Sequence, residues 1–171
     1  MGIHPTIAVD LNIQADSEIG ALRALIRLAE TTGKVLDRVR LSKDASETTL
    51  YHRPGKYICA ALFPVFTKGV SDPIVAFGRV PKDIGYRCSR NDPIDLITLT
   101  MTPPEQAEQF FPFFSNLRAF LASDANRKRL RELKKVEDVR RVLLTLIPNH
   151  NGLLPETGSE SVDSIKKNEL G

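Results

Sequence analysis

Tryptophan is absent from the 171 residues, and three side chains of high chemical use are scarce: three histidines, two cysteines and two methionines. Each shortage closes off a class of protein. Cys59 and Cys88 are too few for the disulfide framework of a small secreted domain, and they read as reduced thiols of a cytoplasmic protein. His4, His52 and His150 are far apart in sequence, and neither they nor the cysteines have zinc-cage spacing. Nowhere do eighteen apolar residues run together, so no membrane span is expected. The opening "MGIHPTIAVD" has neither the charged nor the apolar region of a secretory signal. Glycine-rich phosphate loops of the G-x-G-x-x-G or G-x-x-x-x-G-K-[ST] kind are missing, as is a G-x-S-x-G nucleophile elbow. No cofactor and no metal are expected.

An excess of one charge is missing too. Lys and Arg number 24 against 21 acids, for a formal charge of +3. A surface for nucleic acid needs concentrated positive charge, so nucleic acid is not the expected partner. The exception is "RKRLRELKK", residues 127–135, followed by Arg140 and Arg141. It lacks aromatic residues for base stacking. It reads first as a solvated helix face, and second as a docking surface for an acidic partner or a membrane face.

What is present suits one globular domain with a polar tail: 42 % apolar residues, enough to bury a core. Residues 1–147 form the expected domain. Residues 148–171, rich in Gly, Ser and polar side chains, form a tail or linker.

Thr6 to Val9 reads as an extended piece. Asp16 or Ser17 can cap a strong helix carrying Ile19, Leu22, Leu25, Ile26 and Ala29 at helical spacing, and Gly33 can stop it. Residues 34–50 suggest a weaker helix. Strands are expected over 57–63, 74–80 and 94–101, with a short edge strand at 86–88. Helices follow over 105–122, 123–133 and 135–146, with Pro112 breaking or kinking the first. Of Phe110, Phe111, Phe113 and Phe114, one or two must face outward, because four rings in five positions cannot share one helix face. Element order predicts an α/β fold, a mixed sheet sandwiched between helices.

The segment "DPIVAFGRVPKDIGYRCSRNDPIDLITLTMTPP" resembles the centre of enzyme IIA domains of the fructose/mannitol type, which serve the bacterial sugar phosphotransferase system and include nitrogen-regulatory forms. "FFSNLRAFLASDANRKRLRELKKVEDVRRVLL" is similar to that family's closing helices, and "EIGALRALIRLAETTGKVLD" to its first helix. The resemblance spans roughly residues 5–147. It implies a phosphoryl relay in which an exposed imidazole takes phosphate from a carrier protein and passes it to a sugar-transport domain.

In the family that imidazole follows proline in G-x-A-x-P-H. Here Pro64 matches the proline, and the histidine falls on Val65. A supporting arginine falls near Thr49 and a second histidine near Phe110. An alkyl group, a hydroxyl and a ring replace three polar roles. The resemblance therefore implies a dismantled relay. Three readings follow. In the first, a non-catalytic regulatory or interaction domain uses Leu62, Phe63, Pro64, Val65 and Phe66 as contact surface. In the second, a displaced histidine, His52, still accepts phosphate. In the third, a cytoplasmic domain associated with a transporter senses a small ligand. The partner would be a phosphocarrier protein, a transporter or an adjoining domain.

Overall fold

The computed structural model describes residues 3–51 and 58–148. Tyr57, His52, His150 and nearly all of the expected tail lie outside these. The described elements are β1 (Thr6–Asp10), α1 (Glu18–Glu30), α2 (Arg38–Tyr51), β2 (Ala61–Phe66), β3 (Ile74–Arg79), β4 (Leu96–Thr102), α3 (Ala107–Ala122), α4 (Asp124–Glu132) and α5 (Val136–Leu144). A 3-10 turn, Pro104–Gln106, leads into α3.

The strands form one sheet in the order β1-β3-β4-β2. β1 runs parallel to β3, β3 antiparallel to β4, and β2 parallel to β4. Every residue of β4 is buried, and its side chains alternate between two cores. Ile97, Leu99 and Met101 join a core with Leu25, Ile26 and Ala29 of α1 and Leu41 and Ala45 of α2. Leu96 joins Phe110, Phe113 and Leu117 of α3, Leu130 of α4 and Val139 and Leu143 of α5. Helices thus cover both faces, as the element order implied.

Local chemistry explains the helix ends. Ser17 is extended and its Oγ accepts the Gly20 N–H at 3.0 Å, capping α1. Gly33, at φ 74°, turns the chain out of α1 where a side chain would be strained. Asp37 Oδ1 accepts the Arg40 N–H and does the same for α2. Pro112 lies inside α3 without ending it, so the expected break there is not made; the 3-10 turn lies further upstream, before Ala107. Phe110 and Phe113 face inward, Phe114 is partly buried, and Phe111 is the exposed ring.

Two expectations need correction. Residues 86–88 make no strand; Arg87 forms only an isolated bridge with Pro93. Pro64 does not close a strand. It lies inside β2, paired in register with Thr100, and the strand runs on to Phe66. β2 is an edge strand, where a residue lacking an N–H is tolerated.

Candidate functional site

The site implied by Pro64 and Val65 sits at the C-terminal end of β2. Side chains alternate along a strand, so neighbours in sequence face opposite cores. Val65 is opposite Met101 in register and lies in the α1–α2 core, 1 % exposed. Phe63 shares that core, with its ring 6.0 Å from that of Tyr86. Leu62 packs toward the α3–α5 core, and Pro64 is half-buried. Only Phe66 is well exposed, at 53 %. The five residues therefore do not form a common contact surface. The alternation that builds two cores sinks Phe63 and Val65 into one of them.

The two supporting positions are not brought to Val65 as polar groups. Thr49 is in α2, and its hydroxyl donates to the Ser46 carbonyl oxygen at 2.9 Å, a bond within its own helix. Phe110 is 2 % exposed in the α3–α5 core, with its ring centroid 5.5 Å from that of Phe113. Val65 and Phe110 belong to different cores, on opposite faces of the sheet. His4 is the one histidine among the described residues. It precedes β1 at the same end of the sheet, but three strand spacings away, roughly 14 Å.

The chain leaving β2 is held by polar bonds that sequence patterning does not single out. The Thr67 N–H donates to Thr102 O at 2.9 Å, and the buried Thr67 hydroxyl accepts the Gly69 N–H at 3.0 Å. Gly69 O accepts from the N–H groups of Leu36 and Asp37. A Cβ on Gly69 would stand 2.7 Å from Asp37 O and 2.9 Å from the Leu41 nitrogen, so only glycine lets the backbones approach this closely. The Thr67 and Gly69 roles were unreadable in advance, because both depend on a contact with residues about thirty positions upstream or downstream. Lys68 alone in this turn is an exposed cation.

The arrangement offers no nucleophile at Val65 itself, and the Thr67 hydroxyl is committed to the turn. A surface cleft of about 540 Å³ lies elsewhere, against α1, lined in part by Asp16, Ser17, Arg23, Arg27 and Lys82. It follows the end of β1, at the opposite end of the sheet from Val65.

Part of the basic segment is structural. Arg127 is 3 % exposed; it donates to Leu121 O at 2.7 Å and pairs with Asp124. Arg131 holds Asp95 at 2.9 Å, and Arg140 donates to Ile7 O at 3.0 Å while pairing with Glu137. Lys128, Arg129, Lys134 and Lys135 remain solvent-facing. Arg131 and Arg140 thus tie α4 and α5 to the sheet, and the four solvent-facing cations are left as a charged helix face.

Among the described residues no three of His, Cys, Asp and Glu gather in a way that could hold a metal. Likewise, no described helix is long and apolar enough to cross a membrane.

No protein-family model matches the chain. A curated relative does: the PTS system fructose-specific EIIA component of Haloferax volcanii, 27% identical over 150 residues, covering 85% of this chain and 94% of the relative. Among solved structures, the nitrogen regulatory protein IIA-Ntr from Neisseria meningitidis superimposes with a TM-score of 0.67 at 18% identity, over 80% of this chain and 92% of its own. The fold is that of a phosphotransferase-system IIA domain. IIA mannitol from Escherichia coli shares it, with a TM-score of 0.63 at 15% identity, over 80% of this chain and 95% of its own. The IIA fold and the resemblance read from the central strands thus agree along nearly the same residues.

Proposed function

We propose that this chain is a IIA-like domain that no longer relays phosphate and acts as a cytoplasmic regulatory or protein-interaction module. One observation carries the reading. At the position following Pro64, a relay would require an exposed imidazole with a free nitrogen lone pair. Val65 there is a hydrocarbon buried in the α1–α2 core. The Thr49 hydroxyl, bonded within its own helix, and the Phe110 ring, buried in the α3–α5 core, supply neither a cation nor a free donor for transferring phosphoryl oxygens. The IIA scaffold and the likeness to a curated relative named as a fructose-specific EIIA component support a partner of the same system: a phosphocarrier protein, a transporter component or an adjoining domain. Contact would centre on exposed Phe66 and Lys68.

The test is phosphorylation by phosphoenolpyruvate with the general phosphotransferase enzyme, its carrier protein and labelled phosphate. The expected result is no acid-labile label on this chain. Label that disappears in His52→Ala would instead identify a displaced acceptor and overturn the reading.

A further inference from the structure

The cleft of about 540 Å³ against α1 lies at the carboxyl ends of β1 and β3, the end of the sheet away from Val65. Open α/β sheets hold ligands beyond the carboxyl ends of their parallel strands, and β1 and β3 are such a pair. The volume falls within the roughly 300–1,000 Å³ of small-molecule sites.

The fold fixes the floor of this cleft. Ile13 N–H donates to Arg79 O at 2.9 Å, tying the chain that leaves β1 to the end of β3. The Ile13 side chain is buried and lies over Gly78, where a Cβ would collide with Ile13 Cδ1. Ser17 Oγ is occupied by the Gly20 N–H, so the charge of the cleft comes from its longer side chains.

Those side chains are mostly cations. Arg23 and Arg27 both line the cleft, and residues four apart on a helix share a face, with Cβ atoms about 5–6 Å apart. Both are exposed, and neither has a hydrogen bond or ion pair among the described residues. Glu30, three positions after Arg27, is taken by Arg38 at 3.0 Å. Lys82, which follows β3, reaches Asp16 at 2.6 Å. Hydrogen bonding to Lys82, and then its charge, hold the Asp16 carboxyl below its ordinary value, so Asp16 is ionised and counts against an anion. Three cations against one carboxylate leave two positive charges in excess. Like charges four apart on a helix repel, so the arginine pair costs the empty protein stability that a bound anion returns.

We propose that this cleft binds a small phosphate monoester, with its phosphate held between Arg23 and Arg27. A phosphate monoester is close to a dianion at neutral pH and matches the charge excess, whereas a monocarboxylate would leave half of it uncompensated. The guanidinium fork also pairs with phosphate oxygens two at a time. A concave cleft suits a free molecule better than the headgroups of a flat bilayer. The proposal does not depend on the functional reading above, because the two regions lie at opposite ends of the sheet.

The experiment titrates the isotope-labelled full chain with glycerol phosphate and follows its amide resonances. The expected result is saturable shifts around Gly20 and Lys82 at millimolar concentration or below, and none with glycerol. Arg23→Gln and Arg27→Gln should each weaken binding severalfold, and both positions are exposed, so the fold is retained. Asp16→Asn should strengthen binding severalfold, because it removes the opposing charge; a purely structural Asp16–Lys82 pair would not produce that gain. Absence of saturable shifts, shifts centred on α4 instead, or weaker binding by Asp16→Asn would overturn the proposal. Retention on vesicles containing phosphatidic acid, without a response to glycerol phosphate, would overturn it too and assign the cations to a lipid headgroup.

Discussion

Val65 and Phe66 are adjacent, yet they answer to different physics. One is sealed in a core and the other is more than half exposed. Placing a carboxylate on each separates the two roles. Val65→Asp would bury a charge with no partner, and a loss of about 3 kcal/mol or more is expected in urea unfolding. Phe66→Asp should stay within about 0.5 kcal/mol of the parent chain. It is therefore the variant with which to probe partner contact, because lost binding could then be attributed to the surface. The nature of residue 65 was legible from the chain alone, since a valine cannot carry phosphate. Its burial was not. A five-residue apolar run reads equally as a patch or as a strand with both faces covered, and only the pairing of β2 with β4 decides.

At the scale of elements, legibility followed periodicity. α1 and α5 carry clear apolar stripes, and their expected spans lie within a few residues of the observed ones. β2 was expected to end at residue 63 because proline usually stops a strand. An edge position overrode that rule, and strand position within a sheet is not local information. Val65, at the acceptor position, and Phe110, at a supporting one, lie in different cores. Alignment to a motif preserves order along the chain but not which face of a sheet each residue takes. The join between β2 and α2 also rests on a long-range contact, at Gly69. Gly69→Ala should lower stability by about 1–3 kcal/mol, because the new methyl would meet backbone atoms of Asp37 and Leu41 that cannot swing aside. Thermal unfolding would read this, and an unchanged midpoint would mean that the α2 start shifts freely.

For the whole molecule, α/β class and layer order were readable from the succession of elements, and the IIA fold from the central strands. A global property follows from Tyr86, packed against Phe63. Burial, and then the Glu18 charge, push its phenol up to about 12 from the ordinary value of 10.0. A raised folded value means the native state keeps a proton that the unfolded chain gives up. The stabilisation is therefore complete below about pH 10 and is lost as pH rises to about 12. Urea midpoints between pH 9 and 12 should fall more steeply for the parent chain than for Tyr86→Phe. Parallel slopes would remove Tyr86 from the alkaline transition.

Pro64 also decides how another protein can approach. Thr67 N–H points at β4, and N–H direction alternates along a strand, so position 64 faces away from β4, toward the open side of the sheet. An extended peptide laid alongside β2 to lengthen the sheet would find a missing donor there. The ring at position 64 therefore blocks uninvited strand addition at this margin.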